Sequence, residues 1–177
     1  MSFDPKVFSF QKQLSTGQLG EELLLKHYHM PVILSDDRKY DLRCVHTGHK
    51  IELKTDTYDA LHTPFFFFER WSDVQKEKPG GPWRAKQDRI PIFVYLFLKN
   101  NRYYVFKDVA KMLKKIERLV DKGTIKPVLI ANKGWITSGF KIDRELVKAF
   151  WTEYEFNPAT QDRAKLTSYG ISQEVLP

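Results

Sequence analysis

YDLRCVHTGHKIELK, residues 40–54, contains two short runs of alternating apolar and polar side chains on either side of Thr47-Gly48. Thr-Gly between two such runs is typical of a turn, so the stretch predicts two strands, residues 41–46 and 50–55. The strands should pair as an antiparallel hairpin. This hairpin decides how the rest of the chain is interpreted.

The second strand of this hairpin carries both apolar and ionic side chains. Because side chains alternate along a strand, Glu52 and Lys54 should share one face, while Ile51 and Leu53 point to the opposite, apolar face. The hairpin therefore presents two ionic groups together, away from the core.

The length of the turn sets the cross-strand register. A two-residue turn places Asp41 opposite Lys54 and Arg43 opposite Glu52, so that Asp41 and Glu52 become diagonal neighbours. Diagonal neighbours have Cα atoms about 7–8 Å apart, and two carboxylates at that spacing can reach one hard cation. Magnesium takes one or two protein carboxylates and completes its shell with water and phosphate oxygens. The pattern thus predicts a Mg²⁺ site at Asp41 and Glu52.

Lys54 adds a positive charge to this predicted site. A metal-bound water attacks a phosphodiester more readily when a cation orients it or neutralises the charge that grows on phosphorus. Neither a serine nor a cysteine stands beside a base in this stretch, so direct hydrolysis without a covalent intermediate is predicted.

Two other interpretations of the hairpin remain open. Its ionic face can be an ordinary solvated surface, with cross-strand ion pairs worth under about 1 kcal/mol each. Zinc is the second alternative, with Cys44, His46 and His49 as ligands, although no fourth ligand is evident. We expect a buried Cys44 instead, with both histidines at the turn.

Residues upstream of the hairpin complete a motif. Gly17-x-x-Gly20-Glu21 on a predicted helix, a strand-opening Asp41 and Glu52-x-Lys54 together resemble the PD-(D/E)XK nuclease superfamily. They are most similar to its Holliday-junction-resolvase-like and small phage-type members. Tyr40 stands where the motif name has Pro.

The resemblance implies a role for each motif residue. Asp41 and Glu52 would bind the metal, Lys54 would be the hallmark lysine, and Glu21 would be an accessory ligand to the metal or its water. Glu22 is the less favoured holder of that last role. Mg²⁺ is the implied cofactor, and Mn²⁺ would substitute for it. Asp36 and Asp37 remain alternatives for the Asp41 role.

The resemblance also implies the fold class, α/β, with a restriction-endonuclease-like αβββαβ core and a mixed central sheet flanked by helices. Residues 1–177 are predicted to form a single domain, with the core at about 14–106 and a C-terminal extension at about 107–177. Glu69 and Gly80-Gly81 resemble the later part of phage-type members.

Hydrophobic periodicity predicts the elements independently. The predicted helices cover residues 16–28, 108–121 and 143–151. The resemblance implies a further helix between Phe68 and Ile90, for which residues 82–89 are the candidate. A third strand is predicted at 65–68, a polar loop between Ser72 and Arg89, and a hairpin of strands at 90–98 and 102–106. Two shorter apolar segments follow at 127–131 and 135–140.

Composition favours an anionic partner. Lys and Arg outnumber Asp and Glu by 29 to 22, giving a net charge of +7. Such a charge attracts polyanions at long range. Basic residues of the 72–89 segment are the predicted DNA contacts: Lys76, Lys78, Arg84, Lys86 and Arg89. Trp83 is a stacking candidate or, more simply, a core residue, and the basic face of the 108–121 helix is a second candidate surface.

A single cysteine excludes an internal disulfide, and no apolar run is long enough for a membrane span. We therefore expect a cytoplasmic protein, in the host cytoplasm if it is phage-encoded. The predicted function is a metal-dependent endonuclease that hydrolyses DNA phosphodiester bonds. Resolution of branched DNA would require two symmetric cuts and hence a homodimer. The alternative is a catalytically inactive DNA-binding module that keeps the nuclease fold.

Overall fold

The structure, a computed structural model, describes residues 10–156, with side chains from Thr16 onward. The described residues form α-helices, short 3₁₀ helices and two β-sheets. The α-helices are α1 (Phe10–His27), α2 (Gly81–Gln87) and α3 (Val109–Asp121). The strands are β1 (Val32–Leu34), β2 (Leu42–Cys44), β3 (Lys50–Asp56), β4 (Phe65–Asp73), β5 (Lys78–Pro79), β6 (Ile92–Phe97), β7 (Arg102–Lys107), β8 (Pro127–Asn132), β9 (Trp135–Asp143) and β10 (Trp151–Glu155). The 3₁₀ helices are Leu98–Asn100 and Arg144–Phe150.

The larger sheet has the strand order β1-β2-β3-β6-β7-β10. Its β3 and β6 run parallel and the remaining neighbours are antiparallel, so this sheet is mixed. The smaller sheet, β5-β4-β9-β8, is antiparallel throughout. The predicted α/β class and mixed sheet are thereby confirmed. The predicted domain limits, residues 1 and 177, lie outside the described residues.

The mixed sheet separates two hydrophobic cores, and β6 contributes to both. Ile92, Val94 and Leu96 lie in the core on the α1 side. Phe93 and Tyr95 point the other way, into the core formed with the smaller sheet, α2 and α3. Because β6 is buried on both faces, it is apolar along its whole length, as a central strand of a mixed sheet should be.

Helix α1 covers the first of these cores. Its predicted position is confirmed, although it begins earlier, at Phe10. Leu24 is fully buried and Tyr28 is 5% exposed, and both belong to this core. Leu19 of the same helix is 46% exposed.

The β2–β3 hairpin forms, but its predicted register is wrong. Leu42 pairs with Ile51 and Arg43 with Lys50, so neither predicted cross-strand ion pair exists. The reason is a longer turn: the Gly48 N–H donates to the Cys44 carbonyl, closing a five-residue turn with Gly48 at φ +69°. The shorter ladder leaves Asp41 just before β2, aligned with Glu52 rather than Lys54.

The predicted third strand exists but belongs to the other sheet. β4 runs to Asp73 and pairs with β5 and β9. Phe66 and Phe68 are fully buried, and their rings pack in tilted and edge-on contacts against Tyr95 and Phe106 of the mixed sheet. Such packing joins two sheets rather than extending one. The strand β1, which was not predicted, completes the mixed sheet at its edge.

The segment between β4 and β6 is more ordered than a polar loop. β5 follows β4 as a short hairpin partner, and the considered short helix is present as α2. Pro82 stands at the start of α2, where its missing N–H removes no helical hydrogen bond.

The later elements largely follow prediction. α3 is capped by Asp108, and Gly123 at φ +71° follows its end. The apolar segments after it are the strands β8 and β9. The helix predicted at 143–151 is a 3₁₀ helix, although Asp143 caps it as expected by accepting from the Glu145 N–H.

Two glycines of α1 give opposite predictions for stability. A Cβ on Gly20 would lie 2.0 Å from Thr55 Oγ1, whereas a Cβ on Gly17 would meet nothing within 4 Å. Gly20→Ala should therefore lower the free energy of unfolding by about 1–3 kcal/mol, since α1 must shift on β3. Gly17→Ala should raise it by about 0.5–1 kcal/mol through helix propensity. Urea unfolding of both variants measures this, and equal effects of the two substitutions would contradict the close approach.

Candidate active site

One face of β3 forms the floor of the site. Glu52 and Lys54 point to the side covered by α2 and β4, while Ile51 and Leu53 pack on the α1 side. The predicted division of the strand into an ionic and an apolar face is therefore confirmed. Glu52 is only 4% exposed, which is unusual for a carboxylate without a specific partner.

Asp41 is held beside Glu52 by the backbone of β3. The Asp41 N–H donates to the Ile51 carbonyl at 3.0 Å, and the Leu53 N–H donates to Asp41 Oδ2 at 2.7 Å. One carboxylate oxygen is thus committed to the backbone, and Oδ1 faces the site. Burial raises the pKa of Asp41, although the Leu53 N–H and the charge of Arg84 act in the opposite direction.

Arg84 of α2 joins the two carboxylates. Its Nη2 lies 2.5 Å from Glu52 Oε2 and 3.6 Å from Asp41 Oδ1. The two acidic groups therefore converge on a single nitrogen atom. The predicted convergence of the Asp41 and Glu52 carboxylates is present. The two residues lie directly opposite each other across the hairpin rather than diagonally.

The packing of two glycines brings α2 to this position. A Cβ on Gly80 would lie 2.9 Å from the Glu69 Cβ, and Gly81 adopts φ +44°. A bulkier residue at either place would push α2 away from β4. Buried Ala85 and the contact of Trp83 with Phe140 hold the other side of the helix. Trp83 is therefore a core residue, the simpler of its two predicted roles.

The pKa of Glu52 reflects the close approach of Asp41 and Glu52, which together form the acidic cluster of the site. Burial, followed by the neighbouring charge of Asp41, raises the pKa of Glu52 to about 8, and Arg84 only partly opposes them. Asp88 at the end of α2 raises it further. With both carboxyl groups ionised, one guanidinium would leave an excess of negative charge, and the raised pKa of Glu52 reflects this crowding.

Lys54 has a different partner. Its Nζ donates to Glu69 Oε1, which reaches across from β4 of the smaller sheet. Burial alone would lower the pKa of Lys54, but the charge and hydrogen bond of Glu69 outweigh it and raise the pKa. Lys54 is therefore kept protonated and turned toward β4.

Glu21 lies outside the contact between Arg84 and the two carboxylates. It sits on α1, half-buried, and burial followed by the charge of Asp41 raises its pKa. It is thus near Asp41 but is not joined to Arg84. Glu22, the less favoured alternative, is exposed. Asp36 and Asp37 lie in the exposed turn between β1 and β2, where Asp37 accepts from the Lys39 N–H.

The other predicted DNA contacts are dispersed around the site. Lys76 pairs with Asp73 at 3.2 Å, and Lys78 is exposed in β5. Lys86 points toward α3, 4.0 Å from Glu117. Arg89 follows α2 with φ +55° and is exposed. Of the five predicted basic contacts, only Arg84 reaches the acidic cluster.

Two important partners were not predicted in their observed roles. Arg84 was expected to be a DNA contact, yet it lies between the two carboxylates. Glu69 was noted in the resemblance without a role, yet it holds Lys54. A glutamate at the end of an aromatic run was the available signal, but no sequence pattern shows that β4 packs on the mixed sheet and brings Glu69 to β3.

Cation binding fits the donor chemistry of Asp41 and Glu52. Two carboxylates with raised pKa values and a shared focus are a suitable donor set for Mg²⁺, which seldom uses a complete protein cage. Between residues 10 and 156, no three His, Cys, Asp or Glu side chains gather closely enough to form one. The zinc alternative is not supported either, because Cys44, His46 and His49 do not form a group of metal ligands within the residues that the structure describes. Cys44 is fully buried, as expected.

Comparisons with protein-family models, with curated proteins and with solved structures found no match to this chain. In the described part of the chain, none of the helices combines the length and the apolar character that a membrane crossing requires.

The raised pKa of Glu52 predicts how metal-free stability changes with pH. The folded protein holds this proton up to about pH 8, whereas the unfolded chain releases it near the ordinary glutamate pKa of 4.5. The contribution to stability is therefore complete below pH 4.5 and is lost as pH rises through 8. Between pH 5 and 8.5, Tm should fall more in the wild type than in Glu52→Gln, measured with chelator present. If Tm changes equally with pH in the wild type and in Glu52→Gln, the raised pKa of Glu52 is wrong.

Proposed function

We propose that this protein is a metal-dependent endonuclease that hydrolyses DNA phosphodiester bonds. The observation that carries the proposal is the convergence of Asp41 and Glu52 on one cationic atom, Arg84 Nη2, with Lys54 two residues further along the same face of β3. Two carboxylates and a lysine in this arrangement are the groups that metal-assisted phosphodiester hydrolysis requires.

The order of elements supports a restriction-endonuclease-like core. Helix α1, the strands β1, β2 and β3, helix α2 and the strand β6 follow one another in αβββαβ order, with β4 and β5 inserted before α2. β1 thus takes the place first given to β4. The parallel pairing of β3 with β6, across α2, agrees with the mixed sheet that the resemblance implies.

In the proposed mechanism, Asp41 and Glu52 would hold the metal, and Glu21, which is affected by the charge of Asp41, would orient a water beside them. The bound metal would lower the pKa of a water and polarise a phosphoryl oxygen. Lys54 then stabilises the charge that grows on the phosphate oxygens. Glu69 keeps Lys54 protonated and orients it, so it acts as a positioning residue.

The charge of the chain supports a nucleic acid substrate. The net charge of +7 draws a polyanion toward the protein, and the exposed Lys76, Lys78 and Arg89 can contact its phosphates. Branched DNA is the substrate that the resemblance favours, and a homodimer would then supply the second site.

One observation favours the inactive DNA-binding alternative. Arg84 already bridges both carboxylates, and a permanently bound guanidinium would occupy the place of a metal ion. A fold that has lost its metal would look similar at this point. The two functions therefore differ in whether divalent metal ions bind.

Cleavage assays separate the two functions. The protein is incubated with supercoiled plasmid and with a four-way DNA junction, in Mg²⁺, Mn²⁺ or chelator. Asp41→Asn and Lys54→Met should each lower the cleavage rate by about 100-fold or more, the usual effect of removing a group that stabilises developing charge. Lys141→Ala, which removes an exposed lysine of β9, should cleave like the wild type.

Each outcome decides between the candidates. Cleavage that requires metal and is lost in both site variants supports the enzyme. Binding of the junction without cleavage in any metal supports the inactive module. Faster cutting of the junction than of linear duplex would indicate a resolvase, and equal cutting would indicate a general endonuclease.

A further inference from the structure

The backbone of Arg84 is fixed, but its guanidinium is not enclosed. Helix α2 is short and anchored by Gly80-Gly81 against Glu69 and by the buried Ala85. The Arg84 side chain is 32% exposed, so its end reaches solvent at the rim of the site. A long side chain on a fixed helix can exchange one partner for another by changing rotamers alone.

The contacts of Arg84 use the oxygens that a metal ion would need. Asp41 Oδ2 accepts from the Leu53 N–H, and Oδ1 is the oxygen that faces Arg84 Nη2. On Glu52, Oε2 is the oxygen that bonds Nη2. A divalent cation bound between Asp41 Oδ1 and Glu52 Oε2 would therefore compete with Nη2 for the same position.

The remaining contacts of the guanidinium are incomplete. Within the described structure, Arg84 Nε is buried without a hydrogen-bond partner. An unpaired buried N–H is unfavourable, because it loses its hydrogen bond to water and gains none in the protein. In this position the guanidinium pairs with both carboxylates, but one of its own N–H donors has no acceptor among the described residues.

From these contacts we propose that Arg84 is a placeholder cation, which holds Asp41 and Glu52 together until a divalent metal ion displaces it and then binds a phosphate of the DNA. The proposal rests on the proposed function and adds a coupling between metal and DNA. Released from the carboxylates, the planar guanidinium can bind a phosphate with two parallel hydrogen bonds. Metal binding thereby increases the number of DNA contacts, and DNA binding favours the metal-loaded site.

Direct measurement of metal affinity tests the placeholder role. Free Mn²⁺ is followed by electron paramagnetic resonance, without DNA, in the wild type, Arg84→Met and Lys86→Met. Arg84→Met should bind Mn²⁺ about tenfold more tightly, which corresponds to about 1.4 kcal/mol, because no cation must first be displaced. Lys86→Met removes a charge from the same helix without contacting either carboxylate, so its effect should stay below about twofold at physiological salt. Circular dichroism verifies that the variants are folded.

DNA binding gives the second readout. With Ca²⁺ in place of Mg²⁺, the fluorescence anisotropy of a labelled junction should show weaker binding for Arg84→Met than for the wild type, by about fivefold for one lost phosphate contact. Adding Asp41→Asn to Arg84→Met should abolish the gain in Mn²⁺ affinity, which places the ion at this site.

The outcomes distinguish the two proposals. If Arg84→Met binds Mn²⁺ no more tightly than the wild type while the wild type does bind it, the placeholder role is wrong and the nuclease proposal stands. If neither protein binds Mn²⁺ at Asp41, both proposals fail. Tighter metal binding with undiminished DNA affinity would overturn the transfer of Arg84 to phosphate.

Discussion

Burial of the Glu52 carboxylate beside Asp41 is the constraint to which the surrounding structure responds. Two like charges in a poorly solvated place repel each other and lose hydration, and a buried charge is tolerated only when it is paired or hydrogen-bonded. The chain supplies the Leu53 N–H on one side and Arg84 on the other. Arg84 reaches this point only because Gly80 and Gly81 let α2 lie against β4. An ordinary surface hairpin would need none of these arrangements.

Both sheets contribute residues to the site. The mixed sheet supplies Asp41, Glu52 and Lys54 and carries the apolar residues that fix β3 between its neighbours. The smaller sheet packs its phenylalanine side chains on the mixed sheet and brings Glu69 to Lys54. Tyr95 connects them further, since its hydroxyl donates to Asp56 and accepts from the Phe67 N–H. The polar site therefore lies at the interface between the two packed sheets.

Local patterns were sufficient to predict much of the fold. Helical spacing located α1 and α3, and strand alternation placed Glu52 and Lys54 on one face, because both follow from the geometry of a single element. The turn at Gly48 was harder, since a two-residue and a five-residue turn are both compatible with Thr-Gly, and the register depends on that choice. β1 has only three residues and carries no periodic signal.

The partners of the site depend on tertiary packing, which single-element patterns do not contain. Arg84 and Glu69 are distant in sequence from Glu52 and Lys54, and which basic residue meets which acidic residue is decided by how α2 and β4 pack on the mixed sheet. The expected faces were therefore correct, while the expected ion pairs were wrong. The roles of Asp41, Glu52, Lys54 and Glu21 in catalysis stay predictions.

The pairing of β4 with β9 affects the order in which the contacts of the site can form during synthesis. β9 ends at Asp143 and is the long partner of the strand that carries Glu69. On a ribosome, Asp41, Glu52 and Lys54 emerge early, but a nascent chain that has not yet released β9 has no complete neighbour for β4. The lysine would lack its positioned glutamate, and α2 would lack the surface on which it rests. The contacts around Lys54 and α2 are thus completed only after β9 has been synthesised.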